Sequence, residues 1–179
     1  MTPWQTLELQ ILDQIALGHN AFLDQVMPAV SFLGNSGWIW IVIAVLMVLS
    51  KRYRRGGWLL TTALVFCLLV GNLTLKPLIA RIRPFDVNTL VTLLIAPPTD
   101  YSFPSGHSMA SFAAATTLWH TDRRFGLAAF VLAAVIAFSR LYLYVHYPTD
   151  VLGGTIIGLL LGNLAIYLFT RIDKRRTQA

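Results

Sequence analysis

The sequence predicts an all-α fold set in a membrane, and three observations predict it. Apolar residues make up 56% of the 179 and charged residues only 12%, so a water-soluble domain of this size would lack the polar surface to cover itself. The apolar residues come in long runs, and about 20 residues at a rise of ~1.5 Å cross a hydrocarbon core as a helix. The ionisable residues cluster at the ends of those runs.

Along the chain, residues 1–28 come first. Trp4, Leu7, Leu9, Ile11, Leu12, Ile15 and Leu17 alternate irregularly with Glu8, Gln10, Asp13 and Gln14, which predicts an amphipathic helix lying in the interface. A span running through His19, Asn20, Asp24 and Gln25 would place charged groups at mid-bilayer, at high insertion cost. Spanning helices are expected near 29–50, 58–75, 105–119, 125–145 and 151–170. The third is short and rich in Ser, Thr and Ala, as suits a helix enclosed by others. The expected architecture is a bundle of five transmembrane helices, six if the N-terminal segment spans. It forms one domain: the amphipathic segment 1–28, a catalytic bundle 29–171 and a basic cytoplasmic tail 172–179. Glu8, Asp13 and His19 break the first hydrophobic stretch, and no basic start precedes it, so no removable signal peptide is expected. The single Cys67 lies in an apolar run and excludes an intramolecular disulfide.

Charge placement orients the bundle. Lys51, Arg52, Arg54, Arg55, Arg123, Arg124, Arg171, Lys174, Arg175 and Arg176 follow the first, third and fifth spans, the side assigned to the cytoplasm. Lys76, Arg81, Arg83 and Arg140 fall on the other side. Trp38, Trp40, Trp58 and Trp119 near span ends read as interfacial anchors. Gly154, Gly158 and Gly162 form a small-residue stripe for close helix packing within the bundle.

Three blocks at span ends carry the chemistry. Lys76 is followed after six residues by Arg83-Pro84; Pro104-Ser105-Gly106-His107 starts a helix; Ser139-Arg140 precedes His146 and Asp150. The expected spans bring all three to one membrane face. Lys76, Arg83 and Arg140 can neutralise the equatorial oxygens of a phosphoryl group. Lys76 and Arg83, seven apart, share a helix face if Pro77 does not rotate it. Ser105 can cap, Gly106 lets the backbone approach an anion, and the helix N-terminus attracts one, although Ser-Gly here also reads as an ordinary cap. Asp150, four residues after His146, can orient its imidazole as in a nucleophile–orienter pair, or the two can simply cap a helix. His107 is the natural general acid. Snorkelling to headgroups is the reading kept for Arg81. The clustered cations would repel a divalent ion, so no metal and no cofactor are expected. Tyr142, Tyr144 and Tyr147 can wall the site, and the long loop 86–103 can gate it.

This ordered set resembles the signature of the type 2 phosphatidic acid phosphatase superfamily, and every motif position matches. The resemblance implies a phosphohistidine intermediate on His146, oriented by Asp150. It also implies a lipid phosphate or diphosphate substrate: undecaprenyl diphosphate, phosphatidylglycerophosphate or phosphatidic acid. An outward-facing site favours the first. A lipid phosphotransferase is the rival within the family. A transporter or flippase is the rival outside it, against which stand ionisable residues at span ends and the lack of an internal repeat. The bilayer and the lipid are the expected partners, nucleic acid is not, and the oligomeric state is left open.

Overall fold

The computed structural model describes residues 2–178, with side chains through Ile172. Lys174, Arg175 and Arg176 of the basic tail therefore lie outside the described side chains. Among the described residues every regular element is helical.

Helix α1 spans Pro3–Ala16 and starts with a capping box in which Thr2 and Gln5 satisfy each other's end of the first turn. Its inner face buries Leu9 and Leu12 against Tyr144 and Tyr147, worth roughly 2 kcal/mol per leucine. Glu8 points the same way and is buried, although the sequence reading set it among the polar residues of an interfacial amphipathic helix. The reason is a buried cationic partner, described below.

Helices α2 (Leu23–Leu33) and α3 (Trp38–Leu49) replace the single expected span 29–50. They bend by 44° at a short 3-10 turn, Asn35–Gly37, where Ser36 and Gly37 adopt positive φ of 51° and 68°. Gly34 is required by close approach: a Cβ there would lie 2.5 Å from Cδ2 of His107.

Helix α4 (Arg54–Cys67) runs into a π-helical stretch, Leu68–Leu75, and then into α5 (Lys76–Ile79), which ends at left-handed Ala80. The short α6 (Pro84–Val87) follows. Arg83 sits in extended backbone before α6, so it does not share a continuous helical face with Lys76. The two converge because the chain folds back after Ala80.

Helices α7 (Gly106–Thr121), α8 (Arg123–Tyr142) and α9 (Pro148–Gln178) complete the bundle. α7 is the central post, packed by α4, α8 and α9. Its Ala113, Ala114, Ala115 and Thr117 are fully buried, which explains how a Ser/Thr/Ala-rich helix persists here. The glycine stripe of α9 faces this post: a Cβ on Gly158 would lie 2.3 Å from the Met109 carbonyl oxygen, and one on Gly154 2.5 Å from that of Ser105. The stripe thus serves packing inside the bundle.

The chain is a multi-pass membrane protein. Helical segments 54–87, 123–142 and 148–172 are long and apolar enough to cross a bilayer, and the bent α2–α3 pair makes a fourth. This is fewer than the five expected, because α7 has only 16 residues. Trp40 departs from its expected interfacial place: it is buried and donates from Nε1 to Ser111 Oγ at 3.0 Å. Trp58 and Trp119 are exposed.

Candidate active site

Six of the eight candidate residues, Lys76, Arg83, Gly106, His107, Arg140 and His146, line one cavity of about 590 Å³. Ser105 and Asp150 stand behind its wall. Ser105 caps α7, accepting from Ser108 N at 3.4 Å and Ser108 Oγ at 3.0 Å, and is fully buried. The cap reading applies to it, and Gly106 and His107 form the half-buried lip of the helix start.

The loop 88–105 closes the cavity from outside. Ile95, Ala96, Pro98 and Asp100 supply wall. Asp100 bridges two cations, accepting from Lys76 Nζ and, at 2.6 Å, from Arg83 Nη2. Burial alone would raise its carboxyl, but Lys76 and Arg83 outweigh that and hold it down to about 2. Arg83 is fixed on all sides: Nε donates to the Asp100 carbonyl at 2.7 Å and Nη1 to that of Val145 at 2.6 Å. Arg140, buried, donates to Ser31 Oγ, and its Nε has no partner among the described residues. Guanidinium hydrogen-bonding capacity is thus left over at the cavity.

His146 lies between α8 and α9 and is buried. Its Nε2 is 3.4 Å from Arg83 Nη1. Burial first, then the charges of Arg83, Arg140 and Lys76, push this imidazole well below its ordinary range, which favours its neutral form. His146 Nδ1 is 3.6 Å from Asp150 Oδ2, beyond hydrogen-bond distance. That oxygen instead accepts from Ser102 Oγ at 2.5 Å and from Tyr147 N at 2.9 Å. Asp150 is therefore a fixed carboxylate beside the imidazole. His107, across the cavity, contacts Asn35 Oδ1 through Nε2 at 2.9 Å.

Arg81 does not snorkel. It donates from Nη1 to Asp150 Oδ1 at 2.6 Å and from Nη2 to Glu8 Oε2 at 2.5 Å. Tyr142, Tyr144 and Tyr147 are buried behind the site and absent from the cavity wall. Sequence reasoning missed Asn35, Asp100 in its ion pairs, and Glu8. Asn35 sits in a Gly-Asn-Ser-Gly run that is itself a turn signal. Among the described residues no cluster of three or more His, Cys, Asp or Glu could hold a metal.

A membrane-embedded helical bundle with three cations and two histidines around one cavity defines a class of phosphate-handling membrane enzyme. The model of the PAP2 superfamily matches residues 56–174, and the chain belongs to that family. It is 32% identical over 149 residues to an undecaprenyl-diphosphatase of Sulfolobus acidocaldarius, covering 83% of this chain and 71% of that protein. It is 31% identical over 173 residues to phosphatidylglycerophosphatase B of Bacillus subtilis, covering 88% and 80%. Among solved structures, the transmembrane PAP2-type phosphatidylglycerolphosphate phosphatase of Bacillus subtilis superposes with a TM-score of 0.77 at 27% identity, covering 98% of this chain and 88% of that one.

Proposed function

We propose that this PAP2 phosphatase hydrolyses a lipid phosphate or diphosphate at the outer membrane face through a phosphohistidine on His146, with undecaprenyl diphosphate as substrate. One observation carries the reading. The cationic cavity shares Lys76, Asp100, Gly106 and His107 with a second hollow of about 550 Å³, and that hollow is lined by Ile41, Ala44, Val45, Leu64, Val65 and Leu68 between α3 and α4. A charged headgroup continuous with a hydrocarbon chain matches the pair. The name of the 32% identical relative supports the prenyl diphosphate, and that of the 31% identical one supports phosphatidylglycerophosphate as the second reading.

In the proposed reaction His146 Nε2 attacks phosphorus in line while the bond to the leaving oxygen breaks, and His107 gives that oxygen its proton. Water then attacks the phosphohistidine, His107 takes its proton, the P–N bond breaks and orthophosphate leaves. Lys76, Arg83 and Arg140 hold the equatorial oxygens, with the Gly106 amide at the helix start. Asp100 must swing away from Lys76 and Arg83 for a phosphate to reach them.

The topology that goes with this has five spans, the bent α2–α3 pair, α4 through α5, and α7, α8 and α9, within one domain. At 16 residues α7 reaches ~24 Å, which its enclosure by other helices tolerates. The site then faces outward and the C-terminus the cytoplasm.

The test is phosphate release by purified protein from undecaprenyl diphosphate, phosphatidylglycerophosphate and phosphatidic acid, with and without chelator and with and without an acceptor lipid. Release from the prenyl diphosphate that survives chelation is expected. Activity on none of the lipids, or loss of all activity with chelator, refutes the reading; acceptor-dependent product identifies a phosphotransferase.

A further inference from the structure

We propose that Glu8 and Arg81 are positioning residues for the His146–Asp150 pair, so that the N-terminal helix acts on a cavity it does not line. The proposal rests on the reading of His146 as nucleophile.

Arg81 lies in the gap between motif cations Lys76 and Arg83, yet its guanidinium turns away from the cavity. Nη1 donates to Asp150 Oδ1 at 2.6 Å and to Thr149 Oγ1 at 2.7 Å, while Nη2 donates to Glu8 Oε2 at 2.5 Å. Its Cζ sits 4.0 Å from the centroid of the Tyr147 ring. The other Glu8 oxygen accepts from Thr149 N at 3.0 Å and Thr149 Oγ1 at 2.6 Å. Apart from the Arg81–Glu8 pair itself, every link therefore ends on residues 147–150, the entry to α9 directly after His146.

Glu8 is 2% exposed and Asp150 fully buried. A buried carboxylate persists only when paired and hydrogen-bonded, and one planar guanidinium answers both. With Arg81 on Oδ1, and Ser102 and Tyr147 N on Oδ2, the Asp150 carboxylate has no freedom to rotate. It stands fixed, 3.6 Å from His146 Nδ1, where positive charge develops as the imidazole becomes phosphorylated. A helix staple alone would not require a buried acid from a segment 73 residues away in sequence.

The experiment compares Arg81→Gln, Arg81→Lys, Glu8→Gln and the double variant Glu8→Gln/Arg81→Gln. Lipid turnover per folded enzyme is read alongside orthovanadate inhibition and 18O exchange between orthophosphate and water, which needs the phosphohistidine but no lipid. Arg81→Gln is expected to lower kcat and the exchange rate about 100-fold, with KM and vanadate affinity within about threefold of wild type. Glu8→Gln, close in shape to the native residue, should lose about tenfold, and the double variant less than the product of the two losses, because Glu8 and Arg81 bear on the same turn. Arg81→Lys should recover part of the loss. If Arg81→Gln does not fold, Glu8→Gln and Arg81→Lys carry the comparison. Unchanged kcat per folded molecule, a matching loss of vanadate affinity, or additive effects would overturn the proposal. Exchange in the wild type without hydrolysis of any lipid would remove the lipid reading and leave this one to be decided by the exchange rates.

Discussion

Asn35 Oδ1 lies 2.9 Å from Nε2 of His107, so the break between α2 and α3 delivers a hydrogen-bond partner to the second histidine of the cavity. The contact holds the His107 ring beside the cavity, which Asn35 also lines. Gly34 leaves the room this ring occupies. The kink thus links the bend of a spanning segment to the placement of the proposed proton donor.

The two histidines should separate by leaving group. His146→Ala removes the proposed nucleophile and is expected to abolish turnover on every substrate. His107→Ala should fail most on phosphatidic acid, whose leaving alkoxide needs a proton, and keep measurable activity on p-nitrophenyl phosphate. Asn35→Ala should follow the His107→Ala pattern at about a tenfold loss, with little effect on the activated ester. Greater activity of His146→Ala than of His107→Ala on p-nitrophenyl phosphate, in folded protein, would exchange the roles.

What sequence could reveal follows from range. Lys76, Arg83, Gly106, His107, Arg140 and His146 were legible because their blocks sit at span ends, and spans expose themselves by apolar length; all six line one cavity. Glu8 and Arg81 were not, since no periodicity links positions 73 apart and a charge beside an apolar run looks the same whether it snorkels or pairs. Trp40 misled for a similar reason: a tryptophan near a span end fits the interface or a buried contact with Ser111 equally. The separation of Lys76 from Arg83 by left-handed Ala80 was hidden because a seven-residue spacing suits a helix.

Asp100 bridges Lys76 and Arg83, two of the cations proposed to hold the phosphoryl oxygens. Asp100→Asn removes the competing negative charge, while the main-chain bond from Arg83 Nε to residue 100 still anchors the loop. Orthovanadate is expected to bind about tenfold more tightly to this variant, ~1.4 kcal/mol. Weaker vanadate inhibition would mean that Asp100 organises the cations instead of competing for them.

Neutral, buried His146 gives a pH dependence of stability with a defined sign. Its folded-state pKa is depressed, so below about 6.5 the unfolded chain takes up a proton that the native state refuses. Stability contributed by neutral His146 is therefore present above that pH and falls as pH drops, by up to ~1.4 kcal/mol per pH unit. Asp100, depressed to about 2, keeps its contribution until pH falls below the ordinary carboxylate range near 3.8, so it adds nothing to the slope between pH 5 and 6.5. Thermal unfolding in detergent should show a shallower slope over that window for His146→Asn than for wild type. Parallel curves would mean that the native site admits the proton.

The orientation of the site can be tested without substrate. Leu90, in the loop that leads to Asp100, is 93% exposed, and Lys51, between α3 and α4, is exposed at the opposite end of the α3–α4 pair. Basic residues Lys51, Arg52, Arg54 and Arg55 gather at that end, and the positive-inside rule makes the cytoplasm its expected side. In a Cys67→Ala background, where the buried native thiol is removed, Leu90→Cys in intact cells is expected to react with a membrane-impermeant maleimide. Lys51→Cys should react only after the membrane is permeabilised. The reverse pattern would put the cationic cavity on the cytoplasmic side, where a carrier lipid released outside the cell could not reach it, and the proposed prenyl diphosphate would give way to a lipid made on the inner leaflet.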